Sequence, residues 1–147
     1  MRSFLIVGNQ TLMGPELASA IAERISPGDP PDIYVVVPAT PQSGAFTWDE
    51  DEATAAAQER LDAMLGYLRG LGVEATGEVG YRDPVEAARD AIRRHPVDEI
   101  VLSTLPTGIS RWLGQDAPSR LKSAVSVPVV VVTAKPASVA PVETEGR

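Results

Sequence analysis

Across 147 residues the chain sets 20 acidic against 13 basic side chains, a formal charge of −7, and contains no cysteine. That length suits one domain with its own core, and the missing thiols exclude disulfides, cysteine nucleophiles and Cys-based zinc, as expected in a reducing cytoplasm. The negative balance opposes nucleic-acid and anionic-lipid partners. Residues 1–10 are too short in apolar content for a secretory leader, and no run approaches the ~18 apolar residues of a membrane span.

Phe4-Leu5-Ile6-Val7 is a continuous apolar run that stops at Gly8, as expected of a strand buried on both faces. The polar turn Asn9-Gln10-Thr11 follows, and Gly14-Pro15-Glu16 opens a helix. Proline fits its first position and glutamate its positive end. Leu17, Ile21 and Ile25 recur every four residues as its buried stripe, and the cluster Pro27, Gly28, Pro30, Pro31 ends it. Ile33-Tyr34-Val35-Val36-Val37 reads as a second strand. A loop over 38–47 leads to Thr47-Trp48-Asp49-Glu50, which has capping-box spacing. The helix it starts extends to about Arg69 with Leu61, Met64, Leu65 and Leu68 inward, and Gly70 and Gly72 close it. The acidic run at 49–52 is read as complementing that helix dipole, not as a metal site.

Residues 73–79 alternate loosely, which predicts an exposed or edge strand. Asp83-Pro84-Val85-Glu86 is a second helix start, with a carboxylate cap. This helix runs to His95, burying Val85, Ala88 and Ile92, and Pro96 stops it. Ile100-Val101-Leu102 predicts a fourth strand, 118–124 a short helix, and 127–132 a fifth, buried strand. From Lys135 onward the chain is rich in Pro, Ala and Glu with little to bury, and disorder is expected there. Domain boundaries of 1–134 and 135–147 follow.

Strand and helix alternate with connections long enough for crossovers, so a single doubly wound α/β domain is expected, its parallel sheet covered by helices on both faces. Ligands of such sheets lie beyond the carboxyl ends of the strands, where the strand order reverses. The residues at those ends are Gly8, Asn9 and Gln10 after the first strand, Val37 and Pro38 after the second, and Ser103 and Thr104 after the fourth. The loop that follows adds Ser110 and Arg111. Its hydroxyls and the Arg111 fork suit an anion, although capping the short helix is the simpler use for them.

Residues 3–134 resemble a universal stress protein domain, with the first strand and 98–132 carrying most of the likeness. Gly108-Ile109-Ser110-Arg111 matches that family's usual G-L-S-R run, and Val127-Pro128-Val129-Val130-Val131-Val132 matches its last strand. The resemblance implies a five-stranded sheet in order 3-2-1-4-5, of the adenine nucleotide alpha-hydrolase-like class, and a homodimer, often formed through the last strand. Nucleotide-binding members carry G-x2-G-x9-G-[ST] after the fourth strand. Here Ser103 and Pro106 stand at the first two glycines, Gly114-Gln115 falls one or two residues short of the last pair, and Asn9 replaces the family's acidic residue. Pro106 has no N–H for a phosphate, and Ser103 adds a Cβ where backbone must come close.

The expectation is a non-enzymatic stress-associated or regulatory module, a homodimer with a degenerate nucleotide site and no required cofactor. The alternative is a domain that binds an adenine nucleotide (ATP or AMP) or another small ligand at the loop after the fourth strand. His95, the only histidine, reads as a helix C-cap, since one histidine without cysteine or an acidic cluster makes no metal site. Trp112 reads as core or interface packing, not as a base-stacking platform. Gly8 and Gly14 spell no dinucleotide or Walker loop.

Overall fold

The computed structural model describes residues 2–40, 50–105, 112 and 116–135. In chain order the elements are β1 (Ser3–Val7), α1 (Pro15–Arg24), β2 (Asp32–Pro38), α2 (Glu50–Gly70), β3 (Glu74–Gly80), α3 (Pro84–Arg94), β4 (Glu99–Thr104), α4 (Ala117–Ala124) and β5 (Val129–Thr133). The five strands form one parallel sheet in the order β3-β2-β1-β4-β5. The expected capping box and the tail from 136 on lie outside the described residues, as do Gly108, Ser110, Arg111, Gly114 and Gln115.

Side chains of a strand alternate between faces, and the central strands are apolar on both. Phe4 and Ile6 of β1, Ile33, Val35 and Val37 of β2, and Val101 of β4 join one core with Leu17 and Ile21 of α1 and Ala57, Leu61, Met64 and Leu68 of α2. Leu5, Val7, Val36, Ile100 and Leu102 join the opposite core with Val85, Ala88 and Ala91 of α3 and Leu121 of α4. The continuous hydrophobic runs are thus explained by two-sided burial. Successive helices divide between the faces, α1 and α2 on one and α3 and α4 on the other.

Three local expectations change. Asp83 is the N-cap residue of α3, yet its side chain makes no cap bond. Its Oδ2 instead accepts from Arg120 Nη2 at 2.7 Å, a charge-assisted bond that joins α3 to α4. The buried place in α3 expected of Ile92 goes to Ala87 and Ala91, with Ile92 only partly covered. The last strand begins at Val129, not Val127, and its valines are half-exposed. Among the described residues it lies at the sheet edge with only β4 beside it. Pro128 contributes its carbonyl to Ile100 N at 2.9 Å, the one ladder group a proline still has.

The opposite edge, β3, is covered on the α3 face by a polar cluster. Tyr34 Oη donates to Glu78 Oε1 at 2.5 Å, and Arg94 Nη2 donates to Glu78 Oε2 at 2.6 Å and to Asp90 Oδ2 at 2.7 Å. The Tyr34 ring stacks on His95, with centroids 4.0 Å apart. His95 is the C-cap residue of α3. The Arg94 hydrogen bond, reinforced by that of Tyr34, holds the Glu78 carboxyl below the usual carboxylate range. A depressed carboxyl stabilises the fold above its unfolded pKa of about 4.3, and that contribution is lost as pH falls through the folded value. Glu78→Gln should therefore cost about 1 kcal/mol at pH 7, and its deficit against wild type should narrow below about pH 4.3. Urea melts at both pH values test this; a deficit constant with pH would contradict it.

Candidate functional site

Chain reversal at β1 builds the site. The segment after β1 turns to the α1 face, and β4 next door leads toward α4 on the other face, so a crevice opens between them at the carboxyl ends. Gly8 sits at its base, its N–H bonded to Val36 O at 3.3 Å. A Cβ on Gly8 would stand 2.8 Å from Leu12 Cδ2 and 3.3 Å from Ser103 Cβ. Leu12 is itself core, only 3% exposed, so it cannot give way cheaply. The β1–α1 loop closes on β4 because this position has no side chain.

Among the described residues the buried polar side chains are Asn9, Thr11, Ser103 and Thr104; the first three meet here, while Thr104, next along β4, faces the other side of the sheet. Buried polar groups are tolerated when hydrogen-bonded, and each of these is. The Thr11 and Ser103 hydroxyls are 2.5 Å apart, a bond that crosses the crevice from loop to strand. Thr104 Oγ1 donates to Thr133 Oγ1 at 3.3 Å. Asn9 Nδ2 donates to Pro38 O at 2.8 Å, and Asn9 Oδ1 accepts from Arg60 Nη1 at 2.6 Å. A carbonyl on one side and a guanidinium on the other set the amide's orientation.

Arg60 reaches this point because α2 runs back down the sheet from the carboxyl ends. Its position falls between Ala57 and Leu61, which face the core, so the guanidinium rises along the border of the buried stripe. Burial pulls its pKa below the ordinary arginine value, with Glu59 partly opposing.

The far wall is tied down by backbone and one ring. Ala39 N donates to Gly80 O at 3.1 Å, and Thr40 N donates to Pro38 O at 2.8 Å. Thr40 Oγ1 donates to Arg82 O at 2.6 Å and accepts from Trp112 Nε1 at 3.2 Å. Trp112 is buried in the α3–α4 core, so its indole is packing and anchor together.

Of the residues the sequence singles out, Gly8, Asn9, Pro38 and Ser103 come together, whereas Thr104 bonds to Thr133 of β5. Gln10 is exposed and Val37 points into the α1–α2 core. The Pro38 carbonyl already accepts two hydrogen bonds, so β2 offers a ligand little backbone there. Arg60 and the bonding role of Thr11 were not anticipated. Thr11 stood in a polar turn, but nothing in the spacing around Arg60 marks it. His95 packs on Tyr34 near the start of β2, away from Ser103 and Thr11, and the described residues contain no cluster of three metal-ligating side chains.

The fold is an open parallel α/β domain with a crevice at its switch point. No protein-family model and no curated protein matches the sequence. Solved structures do match. A universal stress protein from Archaeoglobus fulgidus superposes with a TM-score of 0.61 at 17% identity, over 90% of this chain and 93% of that one. An Archaeoglobus fulgidus universal stress protein in complex with dAMP gives 0.62 at 20% identity, over 90% and 98%. A universal stress protein family protein from Arabidopsis thaliana with AMP bound gives 0.60 at 9% identity, over 93% and 94%. The chain thus has the fold of universal stress proteins over nine-tenths of its length, with the strand order the sequence resemblance implied.

The Thr11–Ser103 bond is testable by a double-mutant cycle. Ser103→Ala strands a buried hydroxyl and should cost about 1–2 kcal/mol, while adding Thr11→Val removes both polar groups and should recover part of that loss. Additive costs in chemical denaturation would show that the bond contributes nothing. Gly8→Ala should cost about 1–3 kcal/mol through overpacking between Leu12 and Ser103.

Proposed function

We propose that this chain is a universal stress protein-like, non-enzymatic regulatory module that binds a small ligand at the switch-point crevice, with an adenine nucleoside monophosphate as first candidate. The carrying observation is that three of the four buried polar side chains among the described residues, Asn9, Thr11 and Ser103, gather at that crevice. Structural neighbours with AMP and dAMP bound support the choice of nucleotide. Ser103 and Pro106 at the places of two phosphate-cradling glycines argue against tight triphosphate binding. The stress-associated role rests on the family resemblance. The cytoplasmic setting rests on the absence of cysteine, and no helix among the described residues is long and apolar enough to cross a membrane.

Thermal unfolding tests the ligand. A compound at about 100 times its Kd adds roughly 2.7 kcal/mol, several degrees for a domain of this size. AMP should produce such a shift, and Mg-ATP at the same concentration a smaller one. No shift with AMP overturns the nucleotide assignment, and a larger shift with Mg-ATP overturns the degenerate-site reading.

A homodimer through β5 is the assembly part of the proposal. The strand is at the sheet edge and carries four successive half-exposed valines, Val129 to Val132, which a second copy would cover. Light scattering at tens of micromolar should return twice the chain mass; the monomer mass would overturn this mode of pairing.

A further inference from the structure

The described arginines include two that are half-buried, Arg24 and Arg60, and they are neutralised differently. Arg24 Nε and Nη2 form a fork on Glu99 Oε1 and Oε2 at 2.9 and 3.1 Å, which pushes its pKa up. Arg60 has the neutral Asn9 Oδ1 as its hydrogen-bond acceptor and joins no ion pair within 4.0 Å among the described residues. Moving a cation out of water is costly, and a neutral amide returns only part of that cost. Its lowered pKa, the reverse of Arg24, has the same origin.

The acceptor is itself fixed. Asn9 is only 7% exposed and is anchored through Nδ2 to the Pro38 carbonyl, so its Oδ1 cannot swing away. A guanidinium has five N–H donors in a planar fork. Asn9 takes one and orients the plane, and no other described residue accepts from the rest. The hydroxyls of Thr11 and Ser103, by contrast, are spent on each other.

We propose that Arg60, oriented by Asn9, is the anion-recognition residue of this crevice, and that the ligand presents it with a two-oxygen anionic group, as on a phosphate monoester or a carboxylate. The inference rests on the ligand-binding reading of the crevice and adds the charge the ligand must carry. The protein's charge of −7 repels anions at long range, so affinity must come from this local pairing, and it should fall as salt is raised.

The test is an NMR titration of the full-length, ¹⁵N-labelled protein with AMP, adenosine, inorganic phosphate and acetate. Wild type, Arg60→Gln and Arg60→Lys are compared, following the Asn9 side-chain amide and the Thr11 and Ser103 backbone amides. Glutamine keeps a donor for Asn9 and suits a helix, so the fold should survive. AMP should bind wild type at least ~10-fold more tightly than adenosine, the margin of a charge-assisted bond. Arg60→Gln should erase that margin, and Arg60→Lys should retain part of it. Phosphate perturbing the Asn9 amide where acetate does not would assign the anion as a phosphate, and the reverse as a carboxylate. Equal affinities for AMP and adenosine, or a margin that survives Arg60→Gln, would overturn the role of Arg60 while leaving the ligand reading standing. If no probe moves the crevice resonances, both fall.

Discussion

The pairing of β1 on both of its flanks is the constraint from which the rest follows. Val7 is in register with Val36 on one side and Leu102 on the other, and every side chain from Phe4 to Val7 is buried. A shift of one residue would exchange the faces of Phe4, Leu5, Ile6 and Val7 and mismatch both cores. With β1 held, Gly8 and Asn9 can emerge only at the carboxyl end. The chain leaves β1 and β4 toward opposite helical layers, and the crevice is the gap this topology leaves.

Polar groups are distributed along the sheet in a corresponding way. The amino end and the β3 edge are closed by paired charges: Arg24 with Glu99, and Arg94 with Glu78 and Asp90. The crevice beside β1 holds hydroxyls and an amide instead, bonded to one another and to the backbone, with one cation among them. Charge pairs hold an edge shut because each partner is satisfied within the fold. A cation whose hydrogen-bond acceptor is an amide is not satisfied to the same degree, and that distinguishes Arg60 from the paired arginines.

Ser103 shows how one buried hydroxyl can tie two elements together: it bridges to Thr11 and joins the β1–α1 loop to β4. Asn9 acts in the same sense, binding the end of β2 through its amide nitrogen and Arg60 through its oxygen.

The sequence by itself determined the alternation of strands and helices and the two-sided burial of the central strands. Hydrophobic runs and turn residues are local signals, and period and length are enough to read them. The glycine at position 8 was legible for the same reason. Only the tertiary structure decided that Asp83 turns to Arg120 instead of capping its helix, that the valines of β5 stand half-exposed, and that Arg60 meets Asn9. The last two partners are 51 residues apart, and no periodicity connects an asparagine after one strand to an arginine on the second helix. That contact exists because α2 descends over β2 and β3, next to the β1 end, a placement set by packing over the whole core and not by anything written near either residue.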